Sequence, residues 1–409
     1  MPSVAIVAGE ASGDASGGAL ALQLQKLRPG IELWGAGGPR MRDAGVELLA
    51  DFTATGAIGI VESLKLVPRL SRELAKLKKV FLERRPDVFV PIDFGAFNIR
   101  LGKFAREHAV PTVYYFPPGS WRRRPKDPSS LLAAADKVIT PFPWSADFLS
   151  GAGADAVFLG HPMLDRVTPK LSRKTLIKEL KLRKDRRIVG LLPGSRSHEI
   201  RNILPALLKA SAEISERIPS VGAYLVPASS EQAVYEITRI MVRTVAREWR
   251  SSPLRLDAAA DSADGGDDLL AQYRAIVDSV YDVMAHSDLV ITCSGTATLE
   301  AMILGTPMII VYRGSRAMKL EYLFRKGILE EFIGMPNIIA GREICPELVG
   351  DEASPQAIAK LAISLLESPE ELQKMRRELE SARRALGEPG ATKRAARLVL
   401  ETAGLLSSS

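Results

Sequence analysis

Sulfur chemistry is nearly closed to this chain, which carries only two cysteines in 409 residues, Cys293 and Cys345. Two thiols so far apart suggest neither a disulfide framework nor a zinc site, and both are expected to be small buried side chains. Histidine is scarce too, at four. His108 and His286 fall in helix-like contexts without paired ligands, and no cluster of His, Cys and acids has metal-ligand spacing. Neither a metal nor a cofactor is therefore expected. Also missing is any apolar run near the ~20 residues a bilayer span needs, so membrane contact would be peripheral. The start lacks the basic flank and longer apolar core of a secretory leader, which sets the expectation of a cytoplasmic protein. A basic-aromatic pattern for reading nucleic acid is absent as well, and nucleic acid is not expected as a partner.

What is present is a long, ordinary globular composition with a basic balance. At 46% hydrophobic and 25% charged residues the chain can bury large cores, and its length points to two domains of ~150–200 residues. The formal charge of +7 suits an acidic partner, whether a nucleotide, a phosphorylated lipid or an anionic membrane surface. Oligomeric state stays open.

Short apolar runs bounded by Gly, Pro and Asp alternate with helix-like stretches. Val4–Val7, Val88–Ile92, Thr112–Phe116, Lys137–Thr140 and Val157–Leu159 read as strands of a parallel sheet. After a basic, helical stretch from Lys170 to Arg187 the cadence restarts with Ile188–Leu192, Ala223–Val226, Leu289–Thr292 and Met308–Tyr312. The expectation is an α/β chain of two Rossmann-like domains, over 1–165 and 170–368, joined near 162–172. A helical tail over 369–409, broken at Gly387–Gly390, can pack back on the first domain. Ser251–Asp268 reads as a surface loop.

Four turns carry candidate chemistry. Ala8-Gly9-Glu10-Ala11-Ser12-Gly13-Asp14 follows the first strand and precedes a helix expected from about Ala15. Its acids would repel a pyrophosphate, so Glu10 and Ser12 suit sugar hydroxyls or an acceptor, whereas a plain packing turn is as good a reading of the glycines alone. Asp93 closes the Val88–Ile92 strand, the carboxyl edge where open α/β sheets bind ligands, and is a candidate general base or a helix cap. In Leu191-Leu192-Pro193-Gly194-Ser195-Arg196, the Arg fork, Ser195 and backbone N–H groups at a helix start suit a pyrophosphate, with a surface salt bridge at that helix start as the alternative. Cys293-Ser294-Gly295-Thr296 opens another helix toward phosphate, and Glu300 can accept from ribose hydroxyls or simply face the helix dipole. His161, in Gly160-His161-Pro162, reads as a structural hinge residue.

Two basic features add a membrane question. Ser63–Arg85 places Val67, Leu70, Leu74, Leu77 and Phe81 on one helical face among eight Lys or Arg. The apolar face suits packing on a sheet, and the basic face suits anionic lipid. Trp121 with Arg122–Arg124 is a second candidate for phosphate or headgroup contact, or a solvated loop.

AGEASGD at 8–14, GPRM at 38–41, IGIVE at 58–62, RPDVFVPID at 85–93, LLPGSR at 191–196, GHPM at 160–163, SGTATLE at 294–300, PMIIVYR at 307–313 and PNIIAGRE at 336–343 together resemble the lipid-A-disaccharide synthase family. That resemblance implies a GT-B fold, two Rossmann-like domains facing across a cleft. It implies inverting transfer from UDP-2,3-diacylglucosamine to 2,3-diacylglucosamine 1-phosphate, giving the β-1,6 disaccharide and UDP without a metal. It places the protein peripherally on the cytoplasmic face of the inner membrane. Carried over by position, Asp93 matches the proposed base and Arg196 the family Arg needed near the nucleotide. Glu300 and Asn337 match nucleotide-side positions, and Glu10 and Ser12 the acceptor side. The chain departs where the family reads GIDAPDFN, with Ala96 in place of the second Asp, and where it reads SPSVWAWR, with Pro117–Arg124 here. These departures keep open another UDP-sugar or lipid acceptor.

Overall fold

The structure, a computed structural model, describes residues 1–52, 60–120, 122, 127–251, 272–313 and 332–406, with only the backbone of 60–67 and 246–251. Ser251–Asp268 apart from the backbone of Ser251, together with Trp121, Arg123, Arg124 and the side chains of Ser63–Val67, therefore lies outside the described residues.

Two compact units emerge, Met1–Arg166 with Ala385–Ser409, and Val167–Arg384. In the first, seven strands lie in the order β3-β2-β1-β4-β5-β6-β7. They are β1 (Ser3–Ala8), β2 (Glu32–Gly37), β3 (Glu47–Asp51), β4 (Val88–Ile92), β5 (Val113–Tyr115), β6 (Lys137–Thr140) and β7 (Ala156–Phe158). All pairings are parallel, with Ala8 opposite Ile92 where β1 meets β4. A parallel sheet must be covered on both faces, and the side-chain alternation of β1 does this. Val4, Ile6 and Ala8 pack with Leu20, Leu24, Val399 and Leu400. Ala5 and Val7 pack with Trp34, Phe81, Phe89 and Leu101.

The second unit holds six parallel strands in the order β10-β9-β8-β11-β12-β13. They are β8 (Arg187–Leu192), β9 (Val221–Ala228), β10 (Tyr273–Val277), β11 (Leu289–Cys293), β12 (Met308–Tyr312) and β13 (Glu347–Val349). Helix Ser197–Arg217 buries Ile200, Ile203, Leu204, Leu207, Leu208 and Ile214, the stripe that a 3.6-residue period lays on one side.

Each sheet starts in its middle and grows first one way, then the other. The strand order reverses between β1 and β4 in the first unit and between β8 and β11 in the second. Such reversals splay the connecting loops apart and open a crevice at the carboxyl ends of the strands.

Several elements differ from the expectations. The first helix begins at Ala11 rather than near Ala15, and Lys170–Arg187 is helical only over Arg173–Glu179, where Ser172 caps it. The tail divides. Helix Pro369–Arg384 buries Leu372, Met375 and Leu379 within the second unit, where the Met308 N–H meets the Met375 sulfur. Helix Ala391–Thr402 packs on Ala11–Leu27 in the first unit. Asp165 caps it, accepting from the N–H groups of Gly390 and Thr392. Leu77 and Phe81 of helix Ile60–Arg84 are buried against the sheet, with Leu70 and Leu74 partly covered beside them.

Candidate functional site

In the first unit, the β1 and β4 turns lie side by side at the strand-order reversal. After Ile92 the backbone enters the left-handed region at Asp93 (φ 45°), Phe94 (φ 59°) and Gly95 (φ 46°), then starts helix Gly95–Glu107. Two of the three carry side chains, at a cost on the order of 1–2 kcal/mol each. The turn is held firmly. The Asp93 carbonyl accepts from the Tyr114 hydroxyl at 2.7 Å and from Asn98 Nδ2 at 3.1 Å. The same Asn98 amide lies 3.2 Å from the Ile92 carbonyl and 3.0 Å from that of Val7 in β1. The Phe94 ring packs on Phe52 and Phe97 and fills the space above Gly9, where a Cβ would fall 1.8 Å from the ring.

Asp93 is half-buried, and its carboxyl is pushed up to about 6, first by desolvation and then by the charge of Glu10, against a lowering bond from the Phe94 N–H. Glu10 is exposed at the N-cap of helix Ala11–Leu27 with no capping bond, and Ser12 is exposed in its first turn. Asp14 turns inward. Its buried carboxylate accepts from the N–H groups of Gly38, Arg40 and Met41, so it caps helix Pro39–Asp43 rather than facing a ligand. His161 is buried, and desolvation followed by the nearby Arg166 charge lowers its pKa to about 4. Its Nδ1 accepts from the Met163 N–H, which puts the proton of the neutral ring on Nε2. It serves as the cap of the short 3-10 turn Pro162–Asp165.

In the second unit, Ser195 and Arg196 follow β8, and Ser294, Gly295 and Thr296 follow the neighbouring β11. The sequence reading offers backbone N–H groups at this helix start, beside the Arg fork and Ser195, to a pyrophosphate. The Ser195 and Arg196 N–H groups donate to Glu199 Oε2, each at 3.1 Å, so an internal carboxylate already occupies these two donors. Gly194 (φ 115°) permits that approach, since a Cβ there would lie 2.3 Å from the carboxylate. The Arg196 side chain is 58% exposed and only 3.5 Å from Glu199 Oε1, which leaves most of its guanidinium donors turned to solvent.

Ser294 donates its hydroxyl proton to the Ile333 carbonyl at 2.7 Å, while Gly295 and Thr296 are exposed at the opening of helix Thr296–Leu304. Glu300, one turn on, is partly buried and accepts from the Tyr281 hydroxyl at 3.1 Å. Asn337 is fully buried. Its Nδ2 donates to the Cys345 carbonyl and Glu347 Oε1, and its Oδ1 accepts from the Ile344 and Cys345 N–H groups. Two donors and two lone pairs are thereby used, so Asn337 shapes the loop and offers a ligand no free polar atom. Glu347 completes that loop, accepting from the Ile333 and Gly334 N–H groups, and burial raises its pKa. Cys293 and Cys345 are buried free thiols, as expected, and burial pushes both up, Cys293 to about 12.

The turns are marked in the sequence, whereas Asn98, Tyr114, Glu199, Tyr281 and Glu347, which hold them, are not among the candidates read from it. Only Glu199 carried a local signal, an acid three residues after a helix cap. Among the described residues, no group of His, Cys, Asp and Glu is arranged to hold a metal.

A sequence model of the family described as Lipid-A-disaccharide synthetase matches residues 4–252 and 266–402. The lipid-A-disaccharide synthase of Geobacter sulfurreducens is 35% identical over 402 residues, covering 98% of this chain and 97% of its own. That of Nitrosococcus oceani is 33% identical over 94% of this chain and 92% of its own. Among solved structures, S. aureus MnaA with UDP aligns at TM-score 0.64 and 12% identity, over 100% of this chain and 99% of its own. The UDP-GlcNAc 2-epimerase of Neisseria meningitidis bound to UDP-GlcNAc aligns at 0.60 and 13%, over 98% and 100%. At such identities the likeness is one of fold.

Proposed function

Since the chain belongs to the lipid-A-disaccharide synthase family, we propose how its residues divide the work of that reaction. The enzyme is a GT-B hexosyltransferase. It joins UDP-2,3-diacylglucosamine to 2,3-diacylglucosamine 1-phosphate, with inversion, and releases the β-1,6 disaccharide 1-phosphate and UDP.

Inversion is a single displacement. An acceptor hydroxyl oxygen forms the new bond to the anomeric carbon as the bond to the UDP phosphate oxygen breaks, and the hydroxyl proton must leave. Asp93 is the base that takes it. The observation that carries this assignment is its carboxylate at the carboxyl edge of β4, held in a strained turn and raised to about 6. A base of that pKa is ionised at neutral pH yet more basic than an ordinary carboxylate, which favours proton transfer in the transition state. Arg196 compensates the charge that grows on UDP, with donors suited to two phosphate oxygens. Ser195, Ser294, Gly295 and Thr296 line the approach to the pyrophosphate, and Glu300, oriented by Tyr281, accepts from the ribose. Glu10 and Ser12 contact the acceptor. Asn337 acts at one remove by fixing the loop that Ser294 also holds.

Both sugars are acylated, so the enzyme works peripherally on the cytoplasmic face of the inner membrane. Exposed Arg69, Arg72 and Lys76 on helix Ile60–Arg84 favour contact with anionic headgroups.

The test is turnover of both substrates in detergent micelles, following disaccharide and UDP by mass spectrometry. Wild-type enzyme is expected to form product, and Asp93→Asn to lose at least a hundredfold in kcat while still binding UDP. Unchanged turnover in Asp93→Asn removes Asp93 as the base.

A further inference from the structure

We propose that Tyr114 and Asn98 are positioning residues for the transfer step, acting through the Asp93 carbonyl to fix the left-handed turn that aims its carboxylate. The inference rests on Asp93 being the base and deepens that reading.

The geometry is specific. A left-handed residue after a strand tends to relax toward the extended region, which would swing its side chain away from the sheet edge. At Asp93 two side chains from different elements oppose this by bonding the same oxygen. Tyr114 reaches it from β5 at 2.7 Å, and Asn98 from helix Gly95–Glu107 at 3.1 Å. Asn98 also bonds the last carbonyl of β4 and the Val7 carbonyl of β1, so one amide ties both strands of the reversal to the turn.

Asn98 is fully buried, and among the described residues its Oδ1 has no hydrogen-bond partner. Its two amide protons are shared among the Asp93 and Ile92 carbonyls of the turn and the Val7 carbonyl of the adjoining strand, so its bonding is directed to the sheet edge that carries Asp93. Tyr114 is likewise fully buried, and its hydroxyl meets the Asp93 carbonyl. The rest of its ring needs only a Phe.

Tyr114→Phe is therefore the cleanest probe, since it removes one oxygen and leaves the packing. It is expected to lower kcat about tenfold, leave the KM for the UDP-sugar and UDP binding unchanged, and move the acidic limb of the pH–rate profile. Asn98→Ala is expected to do the same more severely, and Tyr114→Phe keeps the test open if Asn98→Ala folds poorly. In the Asp93→Asn background, Tyr114→Phe is expected to change residual turnover little, because the group it aims is gone. Wild-type kcat and pH profile in Tyr114→Phe, beside an inactive Asp93→Asn, overturns the positioning role alone. An equal loss in both backgrounds, or loss of UDP binding, marks a structural role and overturns it too. Full activity in Asp93→Asn instead overturns the base assignment underneath.

Discussion

Glu10 and Asp93 place two carboxylates at one sheet edge, and their mutual repulsion has a measurable sign. As the proposed base, Asp93 would have to be ionised to accept a proton, so turnover is expected to rise with pH through about 6 and level off above it. Glu10 is the second cause of that raised pKa, after burial. Glu10→Gln removes the repulsion, so the acidic limb of kcat/KM against pH is expected to move to lower pH, whatever happens to the absolute rate. A limb that stays put would mean the two groups are not coupled. The Asp at a strand end was readable in the sequence because an apolar run stops on it. Tyr114 was not, since within Val113–Tyr115 it looks like any core aromatic. Nor was Asn98, whose value lies in bringing the Asp93 carbonyl of a left-handed turn together with the Ile92 and Val7 carbonyls at two strand ends. Glu199 carried a partial signal as an acid three residues after a helix cap, and Asn337 came only through the family resemblance, but the hydrogen-bond partners of both are fixed by loop geometry.

At the level of elements, apolar runs such as Val88–Ile92 and Leu289–Cys293 declare themselves as buried parallel strands by composition alone. β2 hides because its sequence, Glu-Leu-Trp-Gly-Ala-Gly, has little β-branched character, and β13 because it is three residues long. Helix Ala11–Leu27 begins earlier than its glycines suggest because packing outweighs propensity. Its buried face carries Gly13, Asp14, Gly17 and Gly18. Asp14 there fastens a second helix, accepting from three N–H groups at the start of Pro39–Asp43. Asp14→Ala strands those donors in a buried place and is expected to cost about 3 kcal/mol. In a unit of this size that lowers the melting temperature by roughly 10 °C. Thermal melts of the two proteins decide it, and a loss under ~1 kcal/mol would show that the donors find water instead.

For the whole molecule, two-unit organisation followed from length and from the restarted strand cadence, but the sequence could not say which unit each tail helix joins. That depends on which apolar face finds a partner. Net charge was readable directly, and it carries a prediction. With a charge of +7 and exposed Arg69, Arg72 and Lys76, the enzyme is expected to co-sediment with vesicles containing anionic phospholipid at low salt. It should be released at roughly 1 M salt, where the screening length falls to about 3 Å. Equal binding to neutral vesicles would refute an electrostatic attachment. The return of Ala385–Ser409 to the first unit has a consequence in time. During synthesis the first sheet leaves the ribosome long before helix Ala391–Thr402, which covers Leu20 and Leu24 on one of its faces. The second unit, contiguous in the chain, can close while the first still waits. The N-terminal half is thus the last to be finished, and in that interval it is the part most in need of a chaperone.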